Sequence, residues 1–288
     1  EKMTTSNAST ATLSGLGLTG DWTSNIDALT EKFASAEPYP HVVIENMFKE
    51  EVAMELFEKF LNPYENRKGW VVYNNPIERK FAHNDVPSFP DVHKRVFDFL
   101  QSDEAVSLFS RITGIPNLEA DPHLHGAGMH FHPKNGKLDM HLDYSIHPKS
   151  GKERRLNLIM YLNPKWEDWG GGLELWGHDE QNRIKDCVVK IPPLFNTAVL
   201  FRTTDISYHG LPDPLTCPEG MARRSMAVYY VSEPREDVAH RLKARFVARP
   251  SDPQHAGMDK LREIRVTRVL TPADIEEHVP GWDEAMPW

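Results

Sequence analysis

From Leu124 onward the apolar residues recur at every second position, and this change of period constrains the fold more than any other feature of the chain. The segments LHGAGMHFH, LDMHLDY, RRLNLIMYLN, GLELWG, DCVVKI, TAVLFRT and RRSMAVYYVS have strand length and strand pattern, and Gly, Pro and Asn clusters separate them. Upstream the period is helical. In KEEVAMELFEKFL, Val52, Leu56 and Phe60, flanked by Phe57 and Leu61, fall on one helix face. Two more helices are expected near Asp91–Gln101 and Asp103–Thr113, the second stopped by Gly114 and Pro116. Helices followed by closely spaced strands predict a mainly β fold, with helices packed on one side of an antiparallel barrel or sandwich.

The 288 residues suit one large domain. Residues 3 to about 36 are rich in Thr, Ser, Ala and Gly and read as a poorly ordered arm. The expected division is therefore a flexible arm over 1–36, a core domain over 37–233, and a helical extension over 234–288 packed on the same domain. Order should begin at PYPHVVIENMF, with a strand over His41–Met47. REDVAHRLKARF reads as helical, IRVTRVL as a short strand, and Thr271 as the cap of a last helix with Pro272 at its first position.

A net charge of −9, from 33 basic and 42 acidic residues, with no long basic run, argues against a nucleic-acid or anionic-membrane partner. No apolar run approaches a membrane span and no basic-then-apolar signal opens the chain, so a cytoplasmic protein is expected. The two cysteines, Cys187 and Cys217, make neither a disulfide framework nor a zinc pair, and reduced thiols are expected.

The chemistry concentrates in LDMHLDYSIH. In a strand, residues i and i+2 point the same way, so the His141 imidazole and the Asp143 carboxylate can converge on one ion. Together they would be two ligands of a facial triad, the geometry that leaves open positions on Fe(II) for a chelating cosubstrate and O2. A histidine from a later strand must complete it, and DISYHGLPD supplies His209, 66 residues beyond Asp143. Taken alone, His-x-Asp in a chain with 14 histidines is a weak signal and reads more readily as an ordinary surface ion pair. A metal-bound 2-oxoglutarate also needs a cation for its distal carboxylate, and the forked guanidinium of arginine suits it. Arg223 and Ser225 in GMARRSMAVYY share a strand face, 14 and 16 residues after His209, although an Arg-Arg pair can also be a solvated edge.

HLD, RRLNLIMYLNPKWEDWGGGLELW and YHGLPDPLTCPEGMARRSMAVYYVS, in this order, resemble an Fe(II)- and 2-oxoglutarate-dependent oxygenase of the prolyl-4-hydroxylase-like superfamily. The resemblance runs from roughly Pro38 to Glu233. It implies a distorted double-stranded β-helix (a cupin-like jelly roll) braced by N-terminal helices. It also implies iron ligation by His141, Asp143 and His209, and 2-oxoglutarate binding by Arg223, with Tyr161 and Ser225 on the same carboxylate and His130 facing the cosubstrate. Gly170–Gly172 fall on the family's double-glycine turn and are expected to bend a hairpin before LELW. Asp143 stands where halogenating relatives carry a small residue, which disfavours halogenation. The implied activity is hydroxylation of a small molecule, amino acid, sugar or prolyl residue with release of succinate and CO2, using Fe(II), 2-oxoglutarate and O2, with ascorbate as a candidate reductant. The competing readings are a cupin-like metal-dependent hydrolase or isomerase and a metal-stabilised binding domain. Neither has a use for Arg223 beside Ser225.

Other residues have plainer explanations. His123, His125 and His132 lack a nearby Cys or carboxylate to complete a structural zinc site. Trp166, Trp169 and Trp176 fit hairpin packing as well as a substrate mouth, and His147 fits a loop cap as well as a substrate contact.

Overall fold

The computed structural model describes residues 17–283, and in them the alternating segments become strands of one antiparallel sheet. The helices are α1 (Ile26–Ser35), α2 (Glu50–Glu58), α3 (Asp91–Leu100), α4 (Asp103–Thr113), α5 (Ala256–Arg265) and α6 (Pro272–His278). The strands are β1 (His41–Ile44), β2 (Val71–Asn74), β3 (Glu78–His83), β4 (Glu119–Ala120), β5 (Gly128–Pro133), β6 (Lys137–Leu142) and β7 (Glu153–Tyr161). They continue as β8 (Leu173–His178), β9 (Ile184–Ile191), β10 (Thr197–Arg202), β11 (His209–Leu211), β12 (Ala222–Ser232) and β13 (Arg245–Phe246).

Their order is β1-β10-β7-β12-β5-β3-β6-β11-β8-β9, with β3 joining a larger half to a smaller one. Tyr161, Val199 and Phe201 of the larger half meet Leu173, Leu175 and Ile191 of the smaller half in one buried cluster. The two halves therefore face each other, as a double-stranded β-helix requires. Alternation decides which residues enter it. Along β7 and β12, Leu158, Met160, Met226 and Val228 turn outward into the core shared with α1, α3 and α4. Asn157, Ile159, Arg223, Ser225, Ala227 and Tyr229 turn inward and line a cavity. Each large apolar side chain buried under the helices contributes up to about 1.5–3 kcal/mol.

Four local expectations are corrected. The arm expected over 1–36 is docked over the part that is described, whereas residues 1–16, with the Asn7 sequon, lie outside the described residues. Trp22, Ile26, Leu29 and Phe33 recur at helical spacing and are buried; Trp22 Nε1 donates to Met47 O at 2.9 Å and its ring stacks on Phe109. REDVAHRLKARF is not a helix: the backbone N–H of Arg241 donates to Ser145 Oγ at 2.7 Å, and Arg245–Phe246 pair with β6. IRVTRVL is not a strand but the end of α5 and a turn, because Met258, Leu261 and Ile264 pack at helical spacing against Ile77 and Phe246. The glycine turn makes no hairpin, since β7 and β8 lie in different halves of the sheet. Instead Gly170 and Gly171, both at φ +78°, carry the chain across between the halves. The last helix is capped as expected, with Thr271 and Asp274 forming a capping box. Both cysteines are free thiols.

Candidate metal and cosubstrate site

β6 and β11 are neighbours in register, which sets His141 directly opposite His209, with ring centroids 4.3 Å apart. Each Nδ1 lies 2.9 Å from a backbone carbonyl two residues earlier, Asp139 O for His141 and Ser207 O for His209. A carbonyl can only accept, so each Nδ1 carries a proton and each Nε2 is the nitrogen left to ligate a metal. Asp143, just past the end of β6, places Oδ1 3.4 Å from His141 Nε2 and 3.5 Å from His209 Nε2. Its other oxygen is occupied: Asn157 Nδ2 donates to Oδ2 at 3.1 Å, and Arg154 Nη1 lies 3.8 Å away. Arg154 is itself fixed between the rings of Tyr144 and Tyr229, 3.3 and 3.2 Å from their centroids.

Burial opposes charge on Asp143, but His209, His141 and Arg154 outweigh it and hold the carboxyl well below its ordinary range. Burial and the neighbouring His209 lower the pKa of His141, against the pull of Asp143. A neutral imidazole and an ionised carboxylate are the forms a metal requires. The ligand atoms of His141, Asp143 and His209 lie within 4.8 Å of one another, all three residues are buried, and among the described residues they are the one such grouping. Two imidazole nitrogens and one carboxylate oxygen, open on one side, fit a facial triad.

That side borders a cavity of about 230 Å³. Arg223, only 2% exposed, lines it. Its Nε donates to Gly171 O at 2.7 Å, and its Cζ lies 5.0 Å from the Tyr161 ring centroid. Gly171 is constrained by this approach, since a Cβ there would sit 3.0 Å from Arg223 Cδ and 2.8 Å from Leu215. No carboxylate pairs with Arg223 among the described residues, and the buried Tyr161 hydroxyl, which faces the guanidinium, is its one side-chain neighbour of acidic character. An unpaired buried guanidinium is costly unless an anion reaches it. The donor set fits a cosubstrate carboxylate.

The remaining expected residues divide. Ser225 and His130 are opposite each other across β12 and β5 and both line the cavity. Burial, with Lys80 and Arg223 nearby, pushes the His130 pKa down to about 3, so the ring is neutral. Arg224 faces away, over the rings of Phe57 and Phe131. His147 caps a loop: its Nδ1 accepts from Lys149 N and Ser150 N at 3.0 and 3.2 Å, and Nε2 lies 3.2 Å from Asp121. The tryptophans sit elsewhere. Trp166 and Trp169 contact each other edge to face at the glycine turn, and Trp176 packs with Met140 and Leu142 behind the smaller half. Sequence reasoning missed Asn157, Arg154 and the β2–β3 hairpin with Lys80. The parity of Asn157 with Ile159 and Tyr161 was the available signal for the first.

Residues 127–231 match the model of the 2OG-Fe(II) oxygenase superfamily. A curated relative, prolyl 3-hydroxylase OGFOD1 of Mus musculus, is 25% identical over 195 residues, 67% of this chain and 33% of its own length. Its namesake from Xenopus laevis is 31% identical over 78 residues, 27% of this chain and 15% of that one. The chain thus spans a third or less of the length of these relatives. Among solved structures, a prolyl hydroxylase from Trichoplax adhaerens, in complex with a hypoxia inducible factor oxygen degradation domain peptide fragment, superposes with a TM-score of 0.52 at 18% identity. The superposition covers 79% of this chain and 94% of that one and shows the shared fold. The matched region holds His141, Asp143, His209 and Arg223, so across the candidate site this chain is similar to the 2OG-Fe(II) oxygenases, and its fold is that of a prolyl hydroxylase.

Proposed function

We propose that His141 Nε2, Asp143 Oδ1 and His209 Nε2 hold Fe(II), and that Arg223 and Tyr161 hold the distal carboxylate of 2-oxoglutarate. The product is a hydroxylated small-molecule or peptidyl substrate, with succinate and CO2 released. The observation that carries this reading is Arg223, a buried cation without a carboxylate partner in the same cavity as the triad. A metal-dependent hydrolase has no need of it. When bound, the metal and cosubstrate supply the activation of O2 that is coupled to decarboxylation.

The chain's own residues do the rest. Backbone carbonyls of Asp139 and Ser207 fix both imidazoles in the tautomer that ligates. Asn157 and Arg154 occupy Asp143 Oδ2, so that Oδ1 alone faces the two imidazoles and coordination positions stay free. Gly171 O orients the Arg223 fork, and the Ser225 hydroxyl, two residues away on the same face, adds a donor. Leu173, Leu211 and Phe246 line the cavity and limit water.

Purified protein given Fe(II), 2-oxoglutarate and ascorbate should form succinate, and a substrate-library screen should find a product heavier by one oxygen. His141→Ala and Asp143→Ala should each abolish both iron binding and turnover while the fold persists. Full 2-oxoglutarate decarboxylation in either variant would show that the ligands were misassigned.

A further inference from the structure

One wall of the cavity comes from outside the strands that carry the triad. β3 contributes Glu78 and Lys80, β2 contributes Tyr73, and the chain after residue 233 contributes Phe246 and Arg265. The Glu78 side chain is fully enclosed, and its Oε2 accepts from Arg265 Nε at 2.6 Å. Its Oε1 has no hydrogen-bond partner, and Lys80 Nζ stands 3.8 Å from it, beyond hydrogen-bond reach. Lys80 and Arg265 flank the same ring: Lys80 Nζ is 5.2 Å and Arg265 Cζ 5.9 Å from the Tyr73 centroid. Arg265 also lies 5.5 Å from the ring of Phe246, which packs 5.1 Å from His141. The pair therefore stands one aromatic ring away from a triad imidazole.

Charge is unbalanced here. Five basic side chains line the cavity against two acidic ones. Arg154 is engaged by Asp143 and its two tyrosines, Arg223 by the proposed cosubstrate, and Lys243 stands near His125. Lys80 and Arg265 are left with the single carboxylate of Glu78, although their side chains are only 16% and 11% exposed. A surplus cation in so little solvent is stable when an anion reaches it. Lys80 and Arg223 both act on His130 and His132 of β5, the strand between them, but Lys80 alone has Glu78, Arg265 and Asp143 as charged neighbours.

We infer that Lys80, with Arg265 held beside it by Glu78, binds an anionic group of the molecule that is oxidised, a carboxylate or a phosphate. That the bound molecule is oxidised rests on the function proposed above; the anion site itself does not. The ammonium of Lys80 offers three donors, and Glu78 Oε1 is too distant to take one. An anion there would be tethered across Phe246 from the triad, which sets the distance between the charged group and the carbon presented to the metal.

The test is calorimetric titration of inorganic phosphate, and separately of acetate, into the intact protein loaded with Mn(II) and saturating 2-oxoglutarate. Saturable binding is expected for at least one of them, and the tighter anion names the group. Lys80→Met, which leaves the Glu78–Arg265 pair whole, should weaken it about tenfold or more, and Lys80→Arg should restore most of it. Lys80→Gln serves as the second variant should Lys80→Met not fold. 2-Oxoglutarate affinity should be unchanged in Lys80→Met and reduced in Arg223→Ala. Anion binding seen only in a parallel titration without 2-oxoglutarate would place the anion in the cosubstrate pocket and overturn the inference, as would binding indifferent to Lys80. Failure of the wild-type protein to make succinate would instead remove the functional reading, whatever the phosphate titration gives.

Discussion

Arg223 and Arg224 are consecutive residues of β12 and face opposite ways, one into the cavity and one over Phe57 and Phe131. A charge-assisted carboxylate pair contributes about 1.5–3 kcal/mol, roughly ten- to a hundred-fold in affinity. Arg223→Ala should raise the 2-oxoglutarate requirement by that order, Arg223→Lys should recover part of it, and Arg224→Ala should change it little. Steady-state kinetics in varied 2-oxoglutarate checks this, and the opposite ranking of the two arginines would refute it. Asn157→Leu should free Asp143 Oδ2 and weaken metal binding roughly ten- to a hundred-fold, read by metal titration; unchanged affinity would show that Arg154 alone suffices. The convergence of His141, Asp143 and His209 and the inward turn of Arg223 were legible because strand parity and motif spacing are local properties of the sequence. Asn157 and Arg154 were not, because what they touch depends on which strands become neighbours. Arg154 acts where Tyr144 and Tyr229 trap it, and those rings lie 85 residues apart in the chain.

Among the elements, α3 and α4 and the seven alternating segments form where periodicity predicts them, since each carries enough apolar residues to reveal its period. The segment 17–36 did not, because five large apolar residues are diluted among Thr, Ser and Ala, and only docking against α4 and β1 reveals their common face. Trp22→Ala should cost about 3–5 kcal/mol of stability, measurable by urea unfolding. Deletion through Thr30 removes Trp22, Ile26 and Leu29 and should lower the unfolding midpoint further. An unchanged midpoint after that deletion would mean that α1 does not support the core. The C-terminal segments were misread for a related reason. IRVTRVL alternates by accident, and the helical face of α5 exists only against Ile77 and Phe246. The β2–β3 hairpin was overlooked although VVYN and ERKFAH flank a turn at Asn75-Pro76.

At the scale of the molecule, no helix of the described residues is long and apolar enough to cross a membrane. Its stability should depend on pH through buried neutral histidines. His93 lies wholly inside the helical layer, its Nε2 donating to Leu56 O at 2.9 Å, and burial pushes its pKa down to about 4. Because the folded pKa is depressed, the unfolded chain takes up the proton first. The folded state is therefore at its full stability above about pH 6.5 and loses it as pH falls from there toward 4. His93 alone should account for about 2 kcal/mol by pH 5. His93→Leu should flatten the stability curve between pH 7 and 5 by that amount. Equal slopes for the two proteins would show that His93 is not the group responsible.

The contact between Glu78 and Arg265 joins residues 187 apart in the chain. Contacts of such long separation form only after a large loop closes, and during synthesis only after the later partner has left the ribosome. A nascent chain therefore possesses its triad strands, and the last of them, β11, well before it possesses the wall that encloses them. Until residue 265 arrives, the place where a metal would sit opens to water on the side of Lys80 and Tyr73. The sequence order of the elements thus acts as a timer, which leaves this wall of the cavity open until every strand that carries the three candidate ligands has been made.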